Sequence, residues 1–161
     1  MRVKQIIIGK AADLATRLGT PNDFPADLLL VFGGIAHFTL PSLSELLRCT
    51  FPDAMVLGCS TAGEITADGV NDGTCTITAI KFDQTRLAQG STCLSGMDDS
   101  FAAGERLGKQ IAAPGLKAVL VFGPGVQING SALVDGISSI IGSSIPITGG
   151  LAGDGGAFKQ T

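Results

Sequence analysis

Apolar residues come in short unbroken runs separated by amphipathic stretches, a pattern that predicts strands and helices in turn. VKQIII, Val3 to Ile8, reads as a strand, and Ala11 to Leu18 as a short helix. DLLLVFGG, Asp27 to Gly34, is apolar through its middle, as expected of a strand covered on both faces. In LPSLSELLRCTFP, Leu43, Leu46 and Leu47 share one helical face, Ser42 and Glu45 have the spacing of a capping box, and Pro52 stops the helix. Ala54 to Gly58 follows as a strand. TCTITAIKF, Thr74 to Phe82, alternates Thr with apolar or small residues. Asp83 to Thr85 are predicted to turn it back into RLAQGSTCLS, Arg86 to Ser95, as a β-hairpin.

The second half repeats the pattern of the first. LVFG at Leu30 to Gly33 recurs at Leu120 to Gly123, an offset of 90 (120 − 30), and RLG at Arg17 to Gly19 returns at Arg106 to Gly108, one residue out of step. Carried forward without a gap, the offset sets Leu43 on Leu133, Cys59 and Ser60 on Gly149 and Gly150, Ala62 on Ala152, Gly63 on Gly153 and Glu64 on Asp154. The expected fold is therefore α/β: two duplicated βαβαβ-like units, about 1–95 and 86–161, with a mixed, mainly parallel sheet and the β-hairpin between the units.

Composition narrows the function classes. A chain of 161 residues that is 45% apolar is the size of one domain. Only 16% of residues are charged and the net charge is −3, which leaves no basic footprint for nucleic acid and no polybasic patch for a membrane surface. The N-terminal MRVKQIIIGK has too short an apolar run for a signal segment or a span. Cys49, Cys59, Cys75 and Cys93 lack CxxC spacing, so buried free thiols and a cytoplasmic location are expected. Tyr and Trp are absent while glycine reaches 23 residues, so a ligand site would have to be built from backbone, small polar groups, aliphatics and Phe.

Two segments concentrate those glycines. In MVLGCSTAGEI, Met55 to Ile65, and ITGGLAGD, Ile147 to Asp154, a strand is predicted to empty into a loop of small residues that ends in Ala-Gly-acid. Small residues at strand C-terminal ends let a ligand approach the backbone, and open α/β sheets bind ligands at that edge. The candidate ligand-binding set is Gly34, His37, Gly58, Cys59, Ser60, Thr61, Ala62, Gly63, Glu64, Gly125, Gly149, Gly150, Gly153 and Asp154. Backbone amides would hold an anionic group, and Glu64 or Asp154 an amine. Two glycine-rich turns packed against each other, or against another domain, would need the same small residues. Phe38, Phe122 and Phe158 are expected in a core or interface.

The order LLLVFGG, VLGCSTAGEI, hairpin, KAVLVFGPG, ITGGLAGDGGAFKQT resembles the N-terminal domain of the FIST family, the F-box and intracellular signal transduction proteins. The resemblance covers nearly the whole chain, read as one domain, 1–161. It implies an intracellular ligand-sensing module followed by a FIST C-terminal domain and coupled to a histidine kinase, a cyclic-di-nucleotide enzyme or a chemotaxis receptor. Amino acids are among the small ligands it implies, and some family members are haem-containing nitric oxide sensors. If the second unit repeated the first in full, the strand Thr74 to Phe82 would recur at about 164–172, so the chain reads as an N-terminal fragment.

Enzyme chemistry has a weaker footing. GCSTA, Gly58 to Ala62, nears the G-x-S-x-G nucleophile elbow but ends in Ala, and a hairpin rather than a helix is expected after it. A Cys59 nucleophile would have to take its base from His37, the only histidine, with no evident third member. Neither GxGxxG nor GxxxxGK[ST] occurs. His37 could be a haem axial ligand, although its counterpart is Gln127; no other metal set has ligand spacing.

Overall fold

The computed structural model describes residues 1–18, 22–66, 69–157, 159 and 161. Gly19 of the first RLG and Phe158 lie outside the described residues. The chain divides into two compact units, the first made of residues 1–86 and 153–161, the second of residues 87–152.

In the first unit the elements follow as β1 (Arg2–Ile8), α1 (Leu14–Arg17, entered by a 3-10 turn at Ala11–Asp13), β2 (Leu28–Gly33), α2 (Ile35–Phe38), α3 (Ser42–Thr50), β3 (Met55–Ser60), β4 (Glu64–Thr66), β5 (Gly69–Asn71) and β6 (Cys75–Lys81). Four strands form one sheet in the order β1-β6-β2-β3. β2 and β3 are parallel, and β6 is antiparallel to both β1 and β2. The sheet is thus mixed rather than mainly parallel. One face carries Ile8, Leu29, Val31 and Ile77, which pack with Leu43 and Leu47 of α3 into a buried core. The opposite residues of β2, Leu28, Leu30 and Phe32, are half-buried. Asp27 clamps the entry to β2 against the end of β6: its carboxylate pairs with Lys81 and accepts the Phe82 N–H at 2.8 Å.

The second unit contains α4 (Ser100–Ile111), β7 (Val119–Gly123), α5 (Gly130–Ile141) and β8 (Ile147–Leu151). β7 and β8 pair in parallel, and Ala103, Leu133 and Ile137 of the two helices form its buried core. Asn129 caps α5 by accepting the Ala132 N–H at 3.1 Å.

Several sequence expectations are corrected here. The hairpin between Thr74–Phe82 and Arg86–Ser95 does not form, because both edges of β6 are taken by β1 and β2. β4 and β5, three residues each, pair antiparallel instead. Ser42 is the first residue of α3 rather than its cap; Pro41 takes that place, with no side-chain cap bond. The ungapped offset also fails across the crossover. Val31 stands opposite Gly58 and Val121 opposite Gly149, so the second unit has one more residue between its parallel strands. The backbone bonds agree: Thr61 N–H donates to the Gly33 carbonyl, and Ala152 N–H to the Gly123 carbonyl, each at 2.9 Å. Gly149 therefore matches Gly58 rather than Cys59, and Asp154 does not match Glu64.

A forked ion pair anchors α4. Arg106 donates to both carboxylate oxygens of Asp99, at 3.0 and 2.8 Å, and the Ser95 N–H donates to the same group at 3.1 Å. The Arg106 hydrogen bonds, aided by the Ser95 backbone, hold the Asp99 carboxyl well below the usual carboxylate range. A carboxyl lowered on folding stabilises the fold above its unfolded value of about 4, and loses that contribution as pH falls through the folded value. Asp99→Asn is expected to flatten the acid limb of a stability-versus-pH curve below about pH 4. An unchanged limb in denaturant titrations would refute the pairing.

Candidate functional site

The sheet edge at the C-terminal ends of β2 and β3 gathers small residues of the first unit. The Gly34 N–H donates to the Thr74 carbonyl at 3.0 Å, which ties the exit of β2 to the entry of β6. The Thr61 bond to Gly33 carries the β2-β3 ladder one residue beyond the strands. From the far end of the chain, the Gly153 N–H donates to the Ser60 carbonyl at 2.8 Å, and a Cβ on Gly153 would sit 3.1 Å from the Ala62 nitrogen. Ser60, Thr61, Ala62 and Gly153 are thus in close backbone contact, while Gly34 is tied to Thr74.

Gly58, Cys59 and Ser60 belong to β3, and Gly149 and Gly150 to β8, so the loop that leaves β3 is only Thr61–Gly63. Gly58 and Gly149 answer a close approach of backbones. A Cβ at Gly58 would lie 2.0 Å from the Val31 carbonyl oxygen, and one at Gly149 1.7 Å from that of Val121. Gly125, Gly149 and Gly150 fall in the second unit, while the other candidates fall in the first.

The two acids have unlike surroundings. Glu64 is 3% exposed. Its Oε1 accepts from the Thr61 hydroxyl, and its Oε2 accepts from the Thr74 N–H at 3.0 Å and the Thr74 hydroxyl at 2.7 Å. Both oxygens are occupied by this unit's own loops, so Glu64 is a brace between the β3 exit and the β6 entry rather than an open group for an amine. Asp154 is half-buried and accepts the Lys159 N–H at 2.7 Å.

His37 lies on α2, not on a loop, and is 1% exposed with neither ring nitrogen hydrogen-bonded. The Ser60 hydroxyl, on a residue 4% exposed, also lacks a partner, as does that of Thr76. The register sets Ser60 beside Gly33, and Gly33 beside Cys75, on the face that carries the core. Cys59 and Thr76 flank Phe32 on the other face. Buried polar groups are nearly always satisfied, and each orphan costs about 1–3 kcal/mol. The burial of His37 and Ser60 had no signal in the sequence; the role of Thr74 could have been suspected from its place just before a strand.

Thiol and haem chemistry fare poorly on geometry. Burial pushes the Cys59 thiol up, and burial with the nearby Glu64 charge pushes Cys75 up to about 12, against the direction a thiolate nucleophile needs. Cys49 and Cys93 are exposed rather than buried. A haem iron needs an open face at a histidine nitrogen, and His37, enclosed on α2, offers none, so haem does not fit it as folded. Among the described residues no group of three or more His, Cys, Asp and Glu is placed to hold a metal ion, and no helix is long and apolar enough to cross a membrane.

A family model described as FIST N domain matches residues 27–161. No curated protein and no solved structure matches the chain.

Proposed function

Because the chain belongs to the FIST family through its N domain, a family of signal-transduction sensory domains, we propose that it senses a small molecule, such as an amino acid, at the C-terminal edge of β2 and β3. The observation that carries this reading is the pair of buried, unpartnered polar side chains at that edge, His37 just after β2 and Ser60 at the end of β3. Both groups are enclosed as folded, so the edge would have to open to admit a small ligand, whose donors and acceptors would then satisfy the imidazole and the hydroxyl together. Family membership supports the further expectation that occupancy is relayed through a FIST C-terminal domain to a histidine kinase, a cyclic-di-nucleotide enzyme or a chemotaxis receptor.

Titration calorimetry of this chain against the twenty amino acids is expected to return heat for at least one of them. Ser60→Ala should weaken that ligand by about 5- to 10-fold, the worth of one hydrogen bond. Cys59→Ser should leave it largely unchanged, since Cys59 stands on the opposite face of the sheet. No heat from any amino acid with the chain folded, or equal affinity in Ser60→Ala, would overturn the assignment.

A further inference from the structure

His37 and Ser60 stand at one edge, but the chain supports them differently. Ser60 ends β3, where the backbone is bonded to separate stretches of chain. Its carbonyl accepts the Gly153 N–H, the Thr61 N–H donates to the Gly33 carbonyl, and Glu64 joins the Thr61 hydroxyl to Thr74. This side of the edge is a fixed wall, since moving it would part β3 from β2.

α2, which carries His37, bonds only to its own surroundings. The His37 N–H donates to the Gly34 carbonyl at 3.0 Å, the Thr39 N–H to that of Ile35 at 3.1 Å, and the Leu40 N–H to that of His37 at 3.4 Å. The Thr39 hydroxyl donates to the Ala36 carbonyl at 3.1 Å. Among the described residues, no hydrogen bond joins residues 35–39 to a strand or to α3. Side-chain packing holds the segment down: Phe38 and the following Leu40 lie against the core of the first unit. At one end Gly34, whose N–H is fixed to the Thr74 carbonyl, has the backbone freedom a hinge needs; at the other, Pro41 leads into α3. A segment that can rise without breaking a ladder opens at lower cost than one that cannot.

We propose that α2 is the lid of the candidate edge. It lifts about Gly34, takes the His37 imidazole out of its enclosed place, and closes again over a bound molecule. Closed and empty, the edge leaves an imidazole and a hydroxyl unsatisfied, so an occupant that bonds them favours the closed form. The lid's purpose rests on the sensing role proposed above; its movement does not, and is read without any ligand.

His37 is the only histidine, so diethyl pyrocarbonate, followed by the ultraviolet absorbance of the carbethoxylated ring, reports on that one imidazole in the whole chain. The reaction is expected to be slow and to hold within about two-fold through urea concentrations below the unfolding transition. Phe38→Ala should speed it at least ~10-fold, with the Thr39 and Leu40 amides exchanging faster together and the Thr61 amide as protected as before. Ile77→Val, in the core of the sheet, should lower the urea midpoint and leave the His37 reaction alone. If Phe38→Ala fails to fold, the urea series and the amide exchange of the parent chain decide the matter. A His37 rate that climbs with urea in step with global unfolding would overturn the lid, and so would Thr39 and Thr61 amides that open together. Calorimetric heat from an amino acid in a chain whose α2 stays shut would remove the lid and leave the sensing role; a moving α2 in a chain that takes up no amino acid would do the reverse.

Discussion

Gly58→Ala is expected to destabilise the first unit by about 3 kcal/mol, at the upper end of ordinary overpacking. The added Cβ would lie 2.0 Å from the Val31 carbonyl oxygen, and the neighbours it meets include backbone atoms of a central strand rather than a side chain that can swing aside. Gly149→Ala meets the Val121 carbonyl oxygen at 1.7 Å and adds the strain of a φ of +147°, so a loss of about the same size is expected in the second unit. Gly9→Ala is the control, because nothing lies within 4 Å of a Cβ there. With no Tyr or Trp in the chain, urea titrations are best followed by far-ultraviolet circular dichroism. If Gly58→Ala matched Gly9→Ala within about 0.5 kcal/mol, the strands would have to separate at little cost, and the close approach would explain nothing.

Glu64→Ala is expected to cost about 3 kcal/mol, since it leaves the Thr74 N–H and two threonine hydroxyls short of the charged acceptor they share. Glu64→Gln should recover part of that, ending about 1.5 kcal/mol below the parent, because an amide keeps one acceptor and turns a donor toward groups that already donate. The measurement is again a denaturant midpoint, with amide exchange at Thr74 as the local readout. A ligand-binding carboxylate would behave the other way: Glu64→Gln would leave stability unchanged and abolish uptake. That pattern would restore Glu64 to the binding set.

The strands of the first unit were legible because their signal is local. Unbroken or alternating apolar runs set β1, β2, β3 and β6 to within a residue or two of their observed ends, and Gly-rich stretches marked the edge where β2 and β3 finish. Partner choice is not local, and there the reading failed. Residues 90–96 do alternate between half-buried and exposed, but that segment satisfies its backbone on Gln110, Arg106 and Asp99 instead of on β6. The extra residue between β7 and β8, relative to β2 and β3, could not be seen while the two halves of the sequence were slid past each other without a gap. α2, with four residues, is too short to show a helical period. The candidate edge was found from glycine, yet its most informative groups, His37 and Ser60, stand out only by lacking hydrogen bonds in a buried place, a property that no spacing rule records.

The return of residues 153–161 to the first unit has a consequence for the order of synthesis. All four strands of the first sheet are complete once Lys81 has been made, but the Ser60 carbonyl receives the Gly153 amide only after the whole second unit has been translated. At ribosomal rates that delay is on the order of ten seconds. The nascent first unit can settle its core during that interval before the Ser60 carbonyl has its partner, so the Gly153 contact at the candidate edge forms last, as a closing step set by the chain's own topology.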